Sequence, residues 1–366
     1  MSGHRQLINC IKKSGRILIL LSSVLACILL GGCGAFSGNQ GNDTAGPGDE
    51  AEKIVVGFSQ LGAESDWRNA NTQSMKATFT KENGYDLIFE DGQQKQANQM
   101  KAIRIFIQRE VDYIVLAPVT ETGWDTVLGE AKTAGIPVIL MDRAVDVEDD
   151  SLYTCRVGSD FYLEGKKAAE WLRCFTEARG IAPEDLHIVN IQGTIGASAQ
   201  IGRTRGLAEA AKKEGWDLMA EVTGDFTQAK GHEVMASLLR QFDNINVVYC
   251  ENDNEAFGAI EAIEEAGKTT GTDLDAGEIM VISFDGVREG ALDLVREGKI
   301  ACIAQCNPEQ GGLVSDVIRT LEEGGQPDRT AYVEEGIFTA DDTVKSLEID
   351  GTEYPITILD RKQPSG

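Results

Sequence analysis

Histidine is almost missing from this chain, with three in 366 residues, and aromatic residues make up only 6%. No C-x-x-C pair occurs among the eight cysteines, and there is no Gly-x-Ser-x-Gly stretch. These shortages remove the usual material for a zinc site, a nucleophile elbow or a histidine-based triad. Basic residues are also outnumbered, 34 Lys and Arg against 59 Asp and Glu, for a net charge of −25. So acidic a surface disfavours nucleic acid and anionic lipid as partners. The acids are dispersed rather than run together, which suits solubility better than an acidic tail.

The chain opens with Lys12-Lys13-Ser14-Gly15-Arg16, then the apolar run Ile17 to Leu30, then Gly31-Gly32-Cys33. A positive flank before an apolar run of 14 residues is an export leader, too short to span a bilayer comfortably. Leu30-Gly31-Gly32-Cys33 resembles a bacterial lipobox, which implies cleavage before Cys33 and a lipid on its thiol. The alternative is an uncleaved anchor with an incidental cysteine. Residues 1–32 are thus expected to be a signal peptide. The mature protein is expected outside the cytoplasm, held by Cys33 to the outer face of the cytoplasmic membrane, where nucleotide cofactors are scarce. Cleavage removes four basic residues and no acidic ones, leaving 30 against 59, or −29.

Cys10 and Cys27 leave with the leader. The remaining Cys155, Cys174, Cys250, Cys302 and Cys306 are odd in number and irregular in spacing, so mostly buried free thiols are expected. One bridge, between Cys155 and the Cys302/Cys306 pair on predicted hinge strands, stays open. His187 and His232 have no second histidine at ligand spacing and read as structural. No metal or cofactor is expected.

Residues 33–52 are rich in Gly, Asn, Asp and Ser and read as a flexible tether, with a reach of roughly 25 Å by random-coil scaling. From Lys53 onward, β-branched runs alternate with amphipathic stretches. The strands are predicted over Ile54–Ser59, Asp86–Glu90, Tyr113–Ala117, Pro137–Asp142, His187–Gln192, Leu218–Thr223, Val247–Cys250 and Met280–Asp285. Helices are predicted between them, among them Trp67–Glu82, Leu163–Phe175, Ser198–Glu214 and Glu255–Ala266. Several stop at a glycine: Gly84, Gly135, Gly215 and Gly267. Apolar strands alternating with helices imply buried parallel sheets with right-handed crossovers. The rhythm runs from Ile54 to Arg143 and restarts at His187, so the fold class is α/β with two similar, doubly wound parallel-sheet lobes. Tyr153–Val157 and Ile300–Gln305 suit strands that carry the chain between lobes. The N-lobe is expected over 53–158 plus 306–336 and the C-lobe over 159–305 plus 337–366.

Nearly every strand ends in polar or aromatic residues, and ligands of open parallel sheets bind at those carboxyl ends. One by one these residues are equally good helix caps; Asp285, for example, would cap the helix after Gly286. The set carries the argument. Asp142, Asp285 and Glu64 are acceptors; Arg68, Arg143 and Arg203 are donors; Asn252 and Gln305 do both; Trp67 and Phe226 offer faces. Ser65 lies in the same loop as Glu64 and Arg68. A neutral polyhydroxylated ligand asks for this mixture.

With these residues in view, the chain resembles the sugar-binding lipoproteins and periplasmic proteins of ABC importers, in the ribose/galactose (type I) cluster. The resemblance covers residues 53–345. It rests on Ile136-Pro137-Val138 to Asp142-Arg143, Gln192-Gly193-Thr194, Gly224-Asp225-Phe226 with Lys230-Gly231, Asn252-Asp253, Phe284-Asp285-Gly286 and Ile303-Ala304-Gln305. It implies the type I periplasmic binding protein fold with a three-strand hinge. It also implies that Asp142, Arg143, Arg203, Phe226, Asn252, Asp285 and Gln305 contact the sugar. The first loop, Gly62-Ala63-Glu64-Ser65-Asp66-Trp67-Arg68, departs from the ribose pattern. With Asp91 to Gln96, Asn98-Gln99, Ala117-Pro118-Val119 and Gly123-Trp124, it looks like the galactofuranose-binding branch. The stretch after Thr343 is poorly covered.

A monosaccharide ligand, an ABC permease and a monomer are therefore expected. An enzyme is not: each candidate carboxylate is flanked by an arginine or amide rather than by a group that raises its pKa. A sensory protein feeding a membrane receptor kinase has the same binding chemistry and is the alternative. A repressor with this fold would need an N-terminal helix-turn-helix where the leader stands.

Overall fold

The computed structural model describes residues 53–287 and 289–362. The leader, Cys33 and the tether lie outside the described residues. The order begins β1 (Ile54–Gln60), α1 (Asp66–Thr78), β2 (Tyr85–Asp91), α2 (Gln96–Gln108), β3 (Tyr113–Leu116), α3 (Asp125–Thr133), β4 (Val138–Met141) and β5 (Cys155–Gly158). It continues with α4 (Phe161–Arg179), β6 (His187–Gln192), α5 (Ser198–Glu214), β7 (Asp217–Thr223), α6 (Gln228–Gln241), β8 (Val247–Cys250), α7 (Asp253–Glu265), β9 (Met280–Asp285) and α8 (Glu289–Arg296). It ends with β10 (Cys302–Gln305), α9 (Gly311–Glu322), β11 (Thr330–Tyr332), β12 (Ile337–Thr339), β13 (Ser346–Ile349), β14 (Thr352–Pro355) and β15 (Thr357–Ile358).

Two sheets form, in the orders β11-β5-β4-β3-β1-β2 and β15-β12-β10-β9-β8-β6-β7. Strands β1–β5 and β6–β10 repeat one winding, and the pairings within each set are parallel, while β12 joins β10 antiparallel. Their apolar runs are buried on both faces, as crossover helices require: β3, β4 and β8 are buried at every residue. The chain passes between the two sheets three times. It leaves β5 for α4, returns from β10 to α9 and β11, and leaves β11 for β12. The lobes are joined by these three crossings.

Three of the four glycine stops hold: Gly135, Gly215 and Gly267 end α3, α5 and α7 with φ between 72° and 81°, where a Cβ would be strained, whereas α1 ends at Thr78, well before Gly84. The stretch after Thr343 folds as the β13–β14 hairpin and inserts Val344, Leu347, Ile349 and Ile356 into the core that α4 builds with Trp171 and Phe175. All five described cysteines are free; Cys174 is half-buried and the others buried. No helix among the described residues is long and apolar enough to cross a membrane.

Candidate functional site

Between the carboxyl ends of the two sheets lies a small polar cavity. Ten of the eleven residues singled out from sequence line it: Glu64, Ser65, Trp67, Arg68, Asp142, Arg143, Arg203, Phe226, Asn252 and Asp285. Gln305 does not. It closes β10 with its side-chain Oε1 accepting the Gly336 N–H at 2.9 Å, a tie between two crossings. The structure adds Phe161, Ala199 and Cys306 to the lining.

The wall on the first sheet's side is built by the loop after β1 and the turn after β4. Ser65 caps α1, its Oγ accepting the Arg68 N–H at 3.1 Å, which sets Trp67 and Arg68 on the first helical turn. Arg68 donates to Asp142 at 2.6 Å and to Glu64 at 3.2 Å, and Arg143 lies 3.5 Å from the same Glu64 oxygen. All four side chains are only 3–4% exposed. Two guanidinium groups and two carboxylates thus balance in a dry place, as buried ions must. Burial and the neighbouring Arg68 lower Arg143 to about 10, with Glu64 and Asp142 opposing. For Arg68 burial also works against the charge, but Asp142 and Glu64 outweigh it and raise its pKa.

On the opposite wall, Arg203 projects from α5. Its Nε donates to Glu164 at 2.8 Å and its Nη2 to Asp285 at 3.4 Å, while Nη1 donates to the Glu251 carbonyl. Burial raises Asp285 to about 7 despite Arg203, and raises Glu164 to about 8. The expectation that no candidate carboxylate has a raised pKa therefore fails for Asp285. Its chain neighbours are polar, but its surroundings in three dimensions are dry. The N–H groups of Gly286 and Val287, next along the chain, go to Asp253 Oδ2 rather than to Asp285, at 2.8 and 3.4 Å. Asn252 does cap: its Oδ1 takes the Glu255 N–H at 2.8 Å, and its Nδ2 donates to the Phe226 carbonyl at 3.1 Å.

Phe226 faces Arg143 across the cavity, with the guanidinium 5.2 Å from the ring centre. Gly193 makes room for that ring: a Cβ there would stand 1.9 Å from Phe226 Cζ. Asp142, Phe226 and Asp285 have φ of 63°, 59° and 86°. Left-handed backbone is strained for such residues and gathers at functional sites, at about 1–3 kcal/mol each.

Among the described residues, Glu164, Cys306 and Glu335 bring three possible metal-ligand atoms within 4.8 Å of one another. Arg203 already holds Glu164, and Asn307 N–H donates to Glu335 Oε1 at 2.8 Å. Ser159 Oγ also binds Glu335 and lies 3.3 Å from Cys306 Sγ. Burial keeps Cys306 well above the ordinary thiol range, so it is a neutral thiol. The group ties the three crossings together and is held by Arg203, Ser159 and Asn307, with Glu164 Oε1 buried and without a hydrogen-bond partner. His187 and His232 sit away from the cavity and pair with Asp217 and Glu265, at 3.2 and 2.9 Å.

Three polar atoms of the first wall are buried and unpartnered: Glu64 Oε2, Arg68 Nη1 and Arg143 Nε. They offer one acceptor and two donors to whatever fills the cavity. Phe161 and Cys306 had weak signals in the sequence. Each directly follows a crossing strand, Phe161 behind the Asp160 cap and Cys306 next to Gln305.

Residues 56–326 match the family described as periplasmic binding protein domain. The chain is 39% identical over 303 residues to the galactofuranose-binding protein YtfQ of Escherichia coli, which covers 81% of this chain and 92% of that protein. A solved structure from Mycobacterium smegmatis in complex with β-D-fucofuranose matches at TM-score 0.73 and 39% identity, over 78% of this chain and 91% of that one. The periplasmic component of the arabinose ABC transporter of Shewanella sp. ANA-3, bound to α- and β-L-arabinofuranose, matches at TM-score 0.72 and 39% identity over the same shares. With the twofold parallel winding, the three crossings and a polar cleft, these likenesses make the chain a member of the periplasmic binding protein family, in its sugar-binding branch.

Proposed function

We propose that this chain is an exported capture protein that closes on one monosaccharide in its five-membered-ring form and delivers it to an ABC importer. Cys33 carries the lipid that holds it to the outer face of the membrane. The N-lobe is 53–158 plus 306–336, and the C-lobe is 159–305 plus 337–366. The protein binds without catalysing, a reading supported by relatives that are sugar-binding proteins.

The observation that carries the reading is the set of unpartnered atoms on the first wall. Glu64 Oε2 accepts from a hydroxyl, and Arg68 Nη1 and Arg143 Nε donate to hydroxyl or ring oxygens. Leaving each unmade costs about 1–3 kcal/mol, so the cavity favours a ligand with donors and acceptors close together. Trp67 and Phe226 supply apolar faces for its C–H groups. Galactofuranose, fucofuranose and arabinofuranose, bound by the relatives, share the five-membered ring and differ in its exocyclic arm.

A thermal-shift screen of the mature protein against pentoses and hexoses, with furanose-locked glycosides beside pyranosides, tests this. A specific furanose raises the melting temperature in a concentration-dependent way by mass action. A response confined to pyranosides removes the ring-form assignment, and no response to any sugar removes the reading.

A further inference from the structure

Away from the three crossings, three hydrogen bonds among the described residues join the lobes across the cleft, and none of their six residues lines the cavity. Asn254 Oδ1, on α7, accepts the N–H of Asp66, on α1, at 3.0 Å. Ser198 Oγ, at the start of α5, accepts the N–H of Ala144 at 2.9 Å. The Gly196 carbonyl accepts the N–H of Glu121 at 3.0 Å. We propose that Asn254 and Ser198 are latch residues, which set sugar affinity through lobe closure alone. This rests on the sugar-capture reading of the cleft.

The placement of the bonds is the argument. Asp66 is the first residue of α1, where backbone N–H groups have no partner within the helix. The Ser65 hydroxyl is already committed to Arg68 N–H. The Asp66 N–H is taken up by a side chain from the other lobe, one residue from Trp67 and two from Arg68. Ala144 directly follows Asp142-Arg143, so the second bond fixes the other half of the first wall. Each latch therefore docks a segment that carries lining residues. Asn254 is not needed to cap its own helix, since Asn252 does that. Ser198 is likewise not the N-cap of α5; Ala197 occupies that position and makes no side-chain cap bond. Both side chains are spent across the cleft.

When the lobes part, these donors and acceptors turn to water, so each bond contributes only the difference between protein and water partners. That difference corresponds to roughly two- to tenfold in the closed population per bond. Both bonds form after the sugar has entered, so losing one speeds release and leaves capture alone. The Glu121–Gly196 bond joins two backbones and persists in every variant.

The test uses the mature protein with Asn254→Ala, Ser198→Ala and both together, and methyl β-D-galactofuranoside as probe. Dyes placed on the two lobes report the closed fraction with and without sugar. Stopped-flow mixing gives association and dissociation rates, and sugar-free melting curves check the fold. The latch predicts unchanged association and a dissociation rate raised roughly two- to tenfold in each single variant. It also predicts multiplied effects in the double variant, a smaller closed fraction, and sugar-free melting like wild type. If wild type binds the probe but the variants keep its dissociation rate and closed fraction, the latch is overturned and the sugar reading stands. If wild type binds no sugar, both fall. A loss of affinity that tracks a lowered sugar-free melting temperature, with no change in closed fraction, shows a merely structural role and overturns the latch.

Discussion

Arg68 and Asp142 meet at 2.6 Å with both side chains all but sealed from water. Arg104 and Glu130 meet at a similar 2.8 Å on the surface, with side chains 48% and 38% exposed. Removing one partner of a buried pair leaves a charge stranded in a dry place, at about 3–5 kcal/mol. An exposed pair is worth about 0–1 kcal/mol. Asp142→Ala therefore lowers unfolding stability far more than Glu130→Ala. Urea unfolding of both variants checks this, and equal losses would show that the first wall is wetter than described.

Phe226 and Gly193 make a second expectation. Gly193→Ala places a Cβ where the Phe226 ring lies, so the ring must move and its face is lost to the ligand. Sugar affinity falls by about tenfold or more, as expected when one good contact is removed. In a double-mutant cycle Gly193→Ala adds little to Phe226→Ala, because both act through the same ring. Additive losses measured by titration calorimetry would mean that Gly193 serves another purpose.

Stability should fall as pH rises from mildly acidic to alkaline. Burial raises Glu164 from 4.5 to about 8, Glu251 from 4.5 to about 7 and Asp285 from 3.8 to about 7. Within that window the folded chain keeps protons that the unfolded chain has lost. The folded state therefore binds more protons, and unfolding free energy declines with pH. Glu164→Gln removes one of these groups, so its melting temperature declines less steeply between about pH 5 and 9. Parallel melting profiles for wild type and variant would contradict the assignment.

Cys306 gives a chemical reading of closure. Its thiol lines the cavity at 2% exposure, whereas Cys174 is half-buried and away from the cavity. An alkylating reagent reaches Cys306 when the lobes part, so a bound sugar slows its modification and leaves Cys174 unaffected. Peptide mass mapping over time checks this. Equal protection of both thiols would point to general stiffening instead.

Much of the fold was legible in the sequence because its signals are local. The eight predicted core strands match to within a residue, since β-branched runs between polar turns leave little choice of length, and α5 matches at both ends. Helix ends were legible where the stop is a single residue such as Gly215, and less so elsewhere. The first helix was drawn to Glu82 but ends at Thr78, where Asn83 Nδ2 takes up the Thr78 carbonyl at 2.8 Å. α4 begins two residues earlier than expected because Asp160 caps it, and runs on to Gly180. In the site, strand-end residues were found because parallel winding places them at one edge. Glu164 and Glu255 were not, because a buried carboxylate and a surface one look alike in a sequence; only the packing of α4 and α7 in the fold shows their depth. The left-handed backbone at Asp142, Phe226 and Asp285 left no mark either, since none of the three is glycine.

The central claim is that both walls of the cleft grip one furanose sugar. Titration calorimetry of methyl β-D-galactofuranoside into wild type, Asp142→Ala and Arg203→Ala tests it most directly. The account predicts saturable one-to-one binding by wild type. It predicts a loss of about a hundredfold or more in each variant, because the groups left behind stay buried and unpaired. Binding of equal strength in all three proteins, or none in wild type, would contradict it.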